Sequence, residues 1–254
     1  MTRSESAIVL FTLTPEAEGA RKPLGLDGSA RASAIFATLI EHVASVCSGL
    51  PEADLLVATE TAIALPAGAR ELRQRGRDFG ESLCLVFEDA FRLGYRRVIV
   101  IGNDAPEISR DYLADALREL GPVGEKAVLG PATDGGYNLL GLSAPCAPVF
   151  EAMPWGSADV ARRTQARLEA CGFELTLLRT LEDIDSAQGL VRFFHRIVSA
   201  GHRASAALRK LVFQLRRLSA AGAFSTASER RRETASPTGA LRLRAPPSPL
   251  LATL

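Results

Sequence analysis

The chain has 254 residues, of which 47% are hydrophobic and 23% charged, with a formal net charge of +1. Those proportions exclude a fibrous or wholly disordered protein and suit one α/β core with an appendage. The near-neutral total hides an asymmetry: residues 1–189 hold 18 Lys and Arg against 27 Asp and Glu, whereas residues 190–254 hold 12 against 2. An acidic body carries no basic footprint for nucleic acid, so none is expected as a partner. Cys47, Cys84, Cys146 and Cys171 lie far apart, with no C-x-x-C pair, which argues against a zinc site or a disulfide framework and for buried free thiols. The apolar run Ala7–Leu13 is too short for a membrane span, and Pro15-Glu16-Ala17-Glu18 follows where a signal peptide needs small neutral residues. A cytoplasmic protein is expected.

Short apolar runs alternate with stretches of helical period, the pattern of strands that cross over through helices into a mostly parallel sheet. AIVLFTL is the first strand. Ser29 is placed to cap a helix carrying Ile35, Leu39, Val43 and Val46, closed by Gly49. DLLVATE, from Asp54, is the second strand. After a connection containing Pro and Gly, residues 80–93 set Leu83, Phe87, Ala90 and Phe91 at helical spacing, and Gly94 ends them. RRVIVIG is the clearest strand, followed by a helix from Ser109 with Leu113, Leu117 and Leu120 inward. KAVLG and YNLLGL are two further strands around a turn-rich loop. Ser157 is expected to cap the next helix, which stops at Gly172, and FELTLLR is the last strand. Leu190, Phe194, Ile197, Gly201, Ala204, Leu208, Leu211, Leu215 and Leu218 alternate spacings of four and three, one apolar stripe on a single helix of about eight turns. Arg192, Arg196, Arg203, Arg209, Lys210, Arg216 and Arg217 lie off the stripe, so residues 190–218 read as a basic amphipathic helix that packs on the core or a second copy, or lies on an anionic membrane face. From Ser219 the composition turns to Ser, Ala, Arg and Pro and predicts a disordered tail.

Four segments carry candidate chemistry. In RRVIVIGNDAPEIS an apolar strand ends in Gly102-Asn103-Asp104, and in open α/β sheets ligands sit beyond the carboxyl ends of the strands. Asp104 there is placed to hold a metal, or else to cap a turn. In GPATDGGYNLLGL, Asp134 precedes Gly135 and Gly136, which permit close ligand approach, and Tyr137 offers a ring and a hydroxyl; a plain hairpin turn makes the same demands. In LEDIDSAQGL, Asp183 and Asp185 have the period-2 spacing of an extended segment and can complete a metal site, while Asp185 or Ser186 can equally cap the last helix. In ELRQRGRDFGESL, Arg73, Arg75 and Arg77 cluster around Gln74 and Gly76, suited to phosphate capture or to a solvated surface.

Taken in order, QRGRDFGESL, VIVIGNDAPEIS, AVLGPATDGGYNLLGL, FEAMPWGSADV and LEDIDSAQGL resemble a bacterial family of uncharacterised GT-A-like glycosyltransferases, distantly similar to the guanylyltransferases that act on molybdenum cofactor and phospholactate. The resemblance runs from about Ala7 to Leu190. It implies a nucleotide-diphosphate-sugar transferase fold, a single Rossmann-like, mostly parallel sheet flanked by helices over residues 1–189. It also implies Asp104 as the metal-binding Asp, Asp185 as the second metal-side carboxylate, Asp134 to Tyr137 as the D-G-G-Y loop and Pro154-Trp155 as the P-W motif. The loop after the first strand departs from the pattern. Where such proteins carry Lys-x-Pro, Pro-Gly and Lys-Thr-Arg, this chain has Leu13, Glu18-Gly19 and Arg21-Lys22-Pro23, and Glu16 and Glu18 bring negative charge beside a phosphate site.

The expectation is therefore a metal-dependent transferase using a nucleotide-sugar or nucleoside triphosphate donor and an acceptor the sequence leaves unnamed. Asp104, Asp185 and Asp183 hold Mg²⁺ or Mn²⁺. Arg21, Lys22, Gln74, Arg75, Gly76, Gly135, Gly136, Tyr137 and Trp155 bind substrate, and Asp134 orients or deprotonates the acceptor. The alternative is a binding or scaffold protein on a degenerate GT-A fold, with the altered first loop as its sign.

Overall fold

The computed structural model describes residues 4–22, 24, 26, 29–200 and 206–220. The expected tail from residue 219 lies, beyond Ala220, outside the described residues. Seven strands form one sheet: β1 (Ser6–Phe11), β2 (Asp54–Thr59), β3 (Arg70–Arg73), β4 (Arg97–Ile101), β5 (Lys126–Pro131), β6 (Tyr137–Leu142) and β7 (Glu174–Leu177). Their spatial order is β3-β2-β1-β4-β6-β5-β7. All pairings are parallel except those of β6, which runs antiparallel to β4 and β5.

Period-2 alternation splits each central strand between two cores. From β1, Val9 and Phe11 face one side and Ile8 and Leu10 the other; from β4, Val98 and Val100 oppose Ile99 and Ile101. The first side is covered by α3 (Phe79–Arg92), which sends in Leu83, Val86 and Phe87, and by α5 (Val160–Ala170). The second is covered by α2 (Ser29–Cys47) and α4 (Arg110–Leu120). Caps mark these helices: the Asp78 carboxylate accepts the Glu81 N–H at 2.9 Å, and the Ser109 hydroxyl accepts the Tyr112 N–H at 3.2 Å. The cysteines are free; Cys47 and Cys146 are buried, and burial pushes the Cys47 thiol up to about 12.

Four elements differ from expectation. Residues after the first strand form a helix, α1 (Pro15–Arg21), because the Thr14 hydroxyl caps it by accepting the Ala17 N–H at 3.2 Å and Pro15 fits the first helical position. β3 is an edge strand too short and polar to show an apolar run. Ser157 does not cap α5; its hydroxyl accepts the Asp159 N–H at 3.4 Å, and the helix begins at Val160 without a side-chain cap. The long C-terminal helix is described as two helices, α6 (Ala187–Ala200) and α7 (Ala206–Ala220), and Gly201 and Ala204 of the stripe lie outside the described residues.

Leu190 and Phe193 of α6 and Leu211 and Leu215 of α7 build a third apolar cluster with Ile35, Phe36 and Leu39 of α2, together with Leu24, Leu26 and Ile184. Lys210 of α7 also pairs with Glu41 of α2 at 2.7 Å. Leu190, Leu211 and Leu215 of the stripe are thus covered by the chain itself, and the side chains of Ile197, Gly201, Ala204, Leu208 and Leu218 lie outside the described residues. α2 is apolar and long enough to cross a membrane, but Val43, Ala44 and Cys47 pack on the sheet while Ile35, Phe36 and Leu39 pack under α6 and α7.

Candidate active site

At the carboxyl ends of β1 and β4 and the amino end of the antiparallel β6 the sheet carries a run of buried polar residues: Thr12, Asn103, Asp104 and Asn138, joined by Glu18 of α1, by Lys22 at its C-cap and by Asp183. Asp104 is 1% exposed and accepts a hydrogen bond from the Lys22 ammonium at 2.7 Å, itself 6% exposed. The Ile184 N–H donates to the Asp104 carbonyl at 2.8 Å and brings Asp183, 6% exposed, beside Asp104. The Asn138 amide donates to Asp183 at 3.3 Å. Asn103 donates to the Thr12 hydroxyl at 2.7 Å and to Glu18 at 3.0 Å, and Glu18 also accepts the Leu13 N–H at 3.3 Å.

Fully ionised, three buried carboxylates beside one ammonium would leave two negative charges in excess. Burial, by desolvating them, pushes both Asp104 and Asp183 above the ordinary carboxylate range. Lys22 pulls Asp104 back only in part, and the neighbouring Asp104 and Asp134 charges drive Asp183 further, well above its usual value. Glu18 Oε2, Asn103 Oδ1 and Asn138 Oδ1 are buried acceptors with no hydrogen-bond partner. An oxygen-rich pocket with unspent acceptors and more carboxyl groups than ammonium groups fits a hard divalent cation that takes its remaining ligands from phosphate and water. Among the described residues, however, no three His, Cys, Asp or Glu side chains converge as a complete metal cage.

The other expected residues divide. Asp183, rather than Asp185, is the buried partner of Asp104; Asp185 is half-buried near the start of α6, which Ser186 caps by accepting the Gly189 N–H at 3.1 Å. Asp134 sits at the margin, its carboxylate accepting the Gly136 N–H at 2.8 Å while its charge reaches Asp183. Gly135 has φ +89°, and a Cβ there would lie 2.0 Å from the Ala158 carbonyl oxygen, so the loop is seated against the start of α5. Tyr137 is 2% exposed within the first core, edge-on to Trp155 at 6.5 Å, and burial pushes its phenol up. The Tyr137 ring expected to bind substrate therefore presents no open face to a ligand.

Trp155 is half-buried against Phe79. Gln74 is buried and donates to the Thr12 and Ala58 carbonyls at 2.9 and 2.6 Å, tying the ends of β1 and β2 together rather than reaching a ligand. Arg75 pairs with Asp89 and Arg77 with Glu81, both on α3, so these two guanidiniums are committed to the neighbouring helix; Arg73 is exposed on β3. Gly76 keeps this loop tight, with φ +145° and Ser82 only 2.6 Å from where a Cβ would stand. Arg21 is half-buried on α1. Sequence reading missed Asn103 and Asn138, although an amide closing or opening an apolar strand is itself a signal that a buried polar group has a partner to serve. Beside the site, Thr14, Pro15 and Glu16 of the α1 start, Ile40 and Ala44 of α2, and the 62–66 loop line a largely apolar cavity of about 640 Å³.

The strand order with its antiparallel β6, and an acidic cluster at the end of β4, define the nucleotide-diphospho-sugar transferase class of fold. Residues 42–157 match the family described as "uncharacterized protein conserved in bacteria", DUF2064, in agreement with the resemblance carried by the motifs. A crystal structure of a candidate nucleotide-diphospho-sugar transferase from Desulfovibrio desulfuricans G20 is similar over 85% of this chain and 96% of that one, at 28% identity and a TM-score of 0.75. The CMP:2-keto-3-deoxy-manno-octonic acid synthetase, solved with CTP, is similar in fold over 78% of this chain and all of that one, at 12% identity and a TM-score of 0.50. No curated protein matches in sequence.

Proposed function

We propose that the chain is a transferase that grips the diphosphate of a nucleotide-sugar, or the triphosphate of a nucleoside triphosphate, at the carboxyl end of β4. The observation that carries the reading is the buried carboxylate pair Asp104 and Asp183, in a cluster with one ammonium and three acceptors unspent. Similarity to the Desulfovibrio protein over nearly its whole length supports the same class of chemistry. Asp104 and Asp183 are the residues that would hold Mg²⁺ or Mn²⁺, with Asp185 at the edge. When bound, the cation neutralises charge developing on the leaving phosphate oxygen. Asn138 orients Asp183 through its amide, and Asp134, held by the Gly136 N–H, is the carboxylate at the margin where an acceptor hydroxyl arrives.

A second reading, a binding protein that retains the fold without turnover, is favoured by one observation: Glu18 places a buried carboxylate where donor phosphate oxygens would approach. A thermal-shift titration with UDP-, GDP- and CDP-sugars and nucleoside triphosphates, each with and without Mn²⁺, tests the main reading. Stabilisation that requires both nucleotide and metal is expected. If no nucleotide stabilises the protein under either condition, the transferase reading fails; stabilisation without product from any donor leaves the binding protein.

A further inference from the structure

α1 does more than connect β1 to α2. Glu18 and Lys22 are four residues apart and so share one face, which is turned into the site. Glu18 occupies a main-chain N–H, that of Leu13, and a side-chain amide, that of Asn103. Paired donors of that kind also bind phosphate oxygens. Lys22 occupies Asp104 Oδ2, the oxygen a divalent cation would take. One short helix therefore fills an anion position and a cation position side by side. We propose that α1 is an internal occupant of the donor site, so that Lys22 and the metal exclude each other on Asp104 while Glu18 and a donor phosphate exclude each other on the Leu13 and Asn103 donors.

The proposal rests on the reading of Asp104 as a cation ligand. It explains why a chain with this fold keeps Glu18 in a buried acidic cluster, where it opposes Asp104 and leaves Oε2 without a partner. The closed arrangement is poised to open. α1 has seven residues, too few to persist as a helix by itself, so its position depends on its contacts. One of them is a close approach: a Cβ on Gly19 would lie 2.6 Å from both the N and Oγ of Ser33 on α2. Gly19→Ala should lever α1 outward without altering any charge in the site.

Manganese binding to the full chain, read from the EPR signal of free Mn²⁺, distinguishes the outcomes. If the open form is about a tenth of the population, the parent binds Mn²⁺ alone about tenfold more weakly than Gly19→Ala and Lys22→Met. Adding UDP, GDP or CDP should close that gap. In the parent, amide hydrogen exchange at Lys22, whose N–H bonds to the Glu18 carbonyl, should quicken when Mn²⁺ and the nucleoside diphosphate are added together. This second measurement needs no variant to fold. Equal Mn²⁺ affinity in parent and Gly19→Ala, or exchange that is unchanged or slowed by metal and nucleotide, overturns the proposal and makes α1 a fixed wall. Mn²⁺ affinity retained in Asp104→Asn overturns the cation reading beneath it, a separate result from failure of the exclusion itself.

Discussion

The Lys22–Asp104 pair is unequal in its consequences, because the surroundings favour one partner's charge and oppose the other's. Removing the ammonium leaves Glu18, Asp104 and Asp183 buried together, whereas removing the Asp104 charge leaves Lys22 with two carboxylates still near it. Breaking a buried pair typically costs about 3–5 kcal/mol through the charge left behind. Lys22→Met is expected to lose an amount of that order at pH 7. Asp104→Asn is expected to lose about 1 kcal/mol or less, since desolvation already outweighs the help Lys22 gives Asp104. Urea denaturation of both variants checks the asymmetry; an equal loss in the two would mean that the pair is balanced and the acidic excess is relieved in some other way. Of this cluster, the sequence displayed Asp104, Asp183 and the departure at Glu18. It did not display the pairing, because a salt bridge spanning 82 positions depends on where α1 lands and no local pattern encodes that.

Elements built on an apolar run or stripe were legible in the sequence, and those without one were not. RVIVI and YNLLGL announce themselves as buried strands, and the Ser109 and Asp78 caps fall where polar residues precede helical spacing. α1 was hidden because PEAEGAR has no apolar stripe, and β3 because an edge strand needs only one buried residue, Leu72. At the C-terminal end, periodicity gave the stripe but not its cover, and the stripe predicted Phe194 where Phe193 is the fully buried ring. Glu182 fastens α6 to the site: burial alone would raise its carboxyl, but Arg192 at 2.5 Å and Arg196 at 2.8 Å together hold it below the usual range. The packing makes a direct prediction. Phe193→Ala should cost about 3–5 kcal/mol by opening a cavity beneath α2, whereas Phe213→Ala, at a ring 62% exposed, should stay within about 0.5 kcal/mol. Chemical denaturation of the two variants measures both, and comparable losses would mean that α7 is turned so that Phe213 is covered.

At the scale of the whole molecule, the acidic cluster sets how stability depends on pH. Asp104 and Asp183 both have folded-state values above their unfolded ones, chiefly through desolvation, so the native state holds their protons more tightly than the unfolded chain does. The stability they contribute is therefore fully present below the ordinary carboxylate range and is lost as pH rises through the raised values. Glu182 acts in the opposite sense, since its lowered value contributes stability that is lost as pH falls. The metal-free protein is thus expected to melt at a higher temperature in mildly acidic buffer than at neutral pH, with Asp183, the more strongly raised of the two, as the main source. Asp183→Asn should flatten that rise, because a neutral amide has no proton to lose. Mg²⁺ or Mn²⁺ should raise the melting temperature at neutral pH and do little in acid, where the carboxyls are protonated and cannot bind it. Melting curves across pH 5 to 8, for parent and variant and with and without Mn²⁺, decide the matter. A parent whose stability climbs with pH across that window in the absence of metal would show that the cluster stays ionised and fully compensated, and the argument from excess negative charge would fall with it.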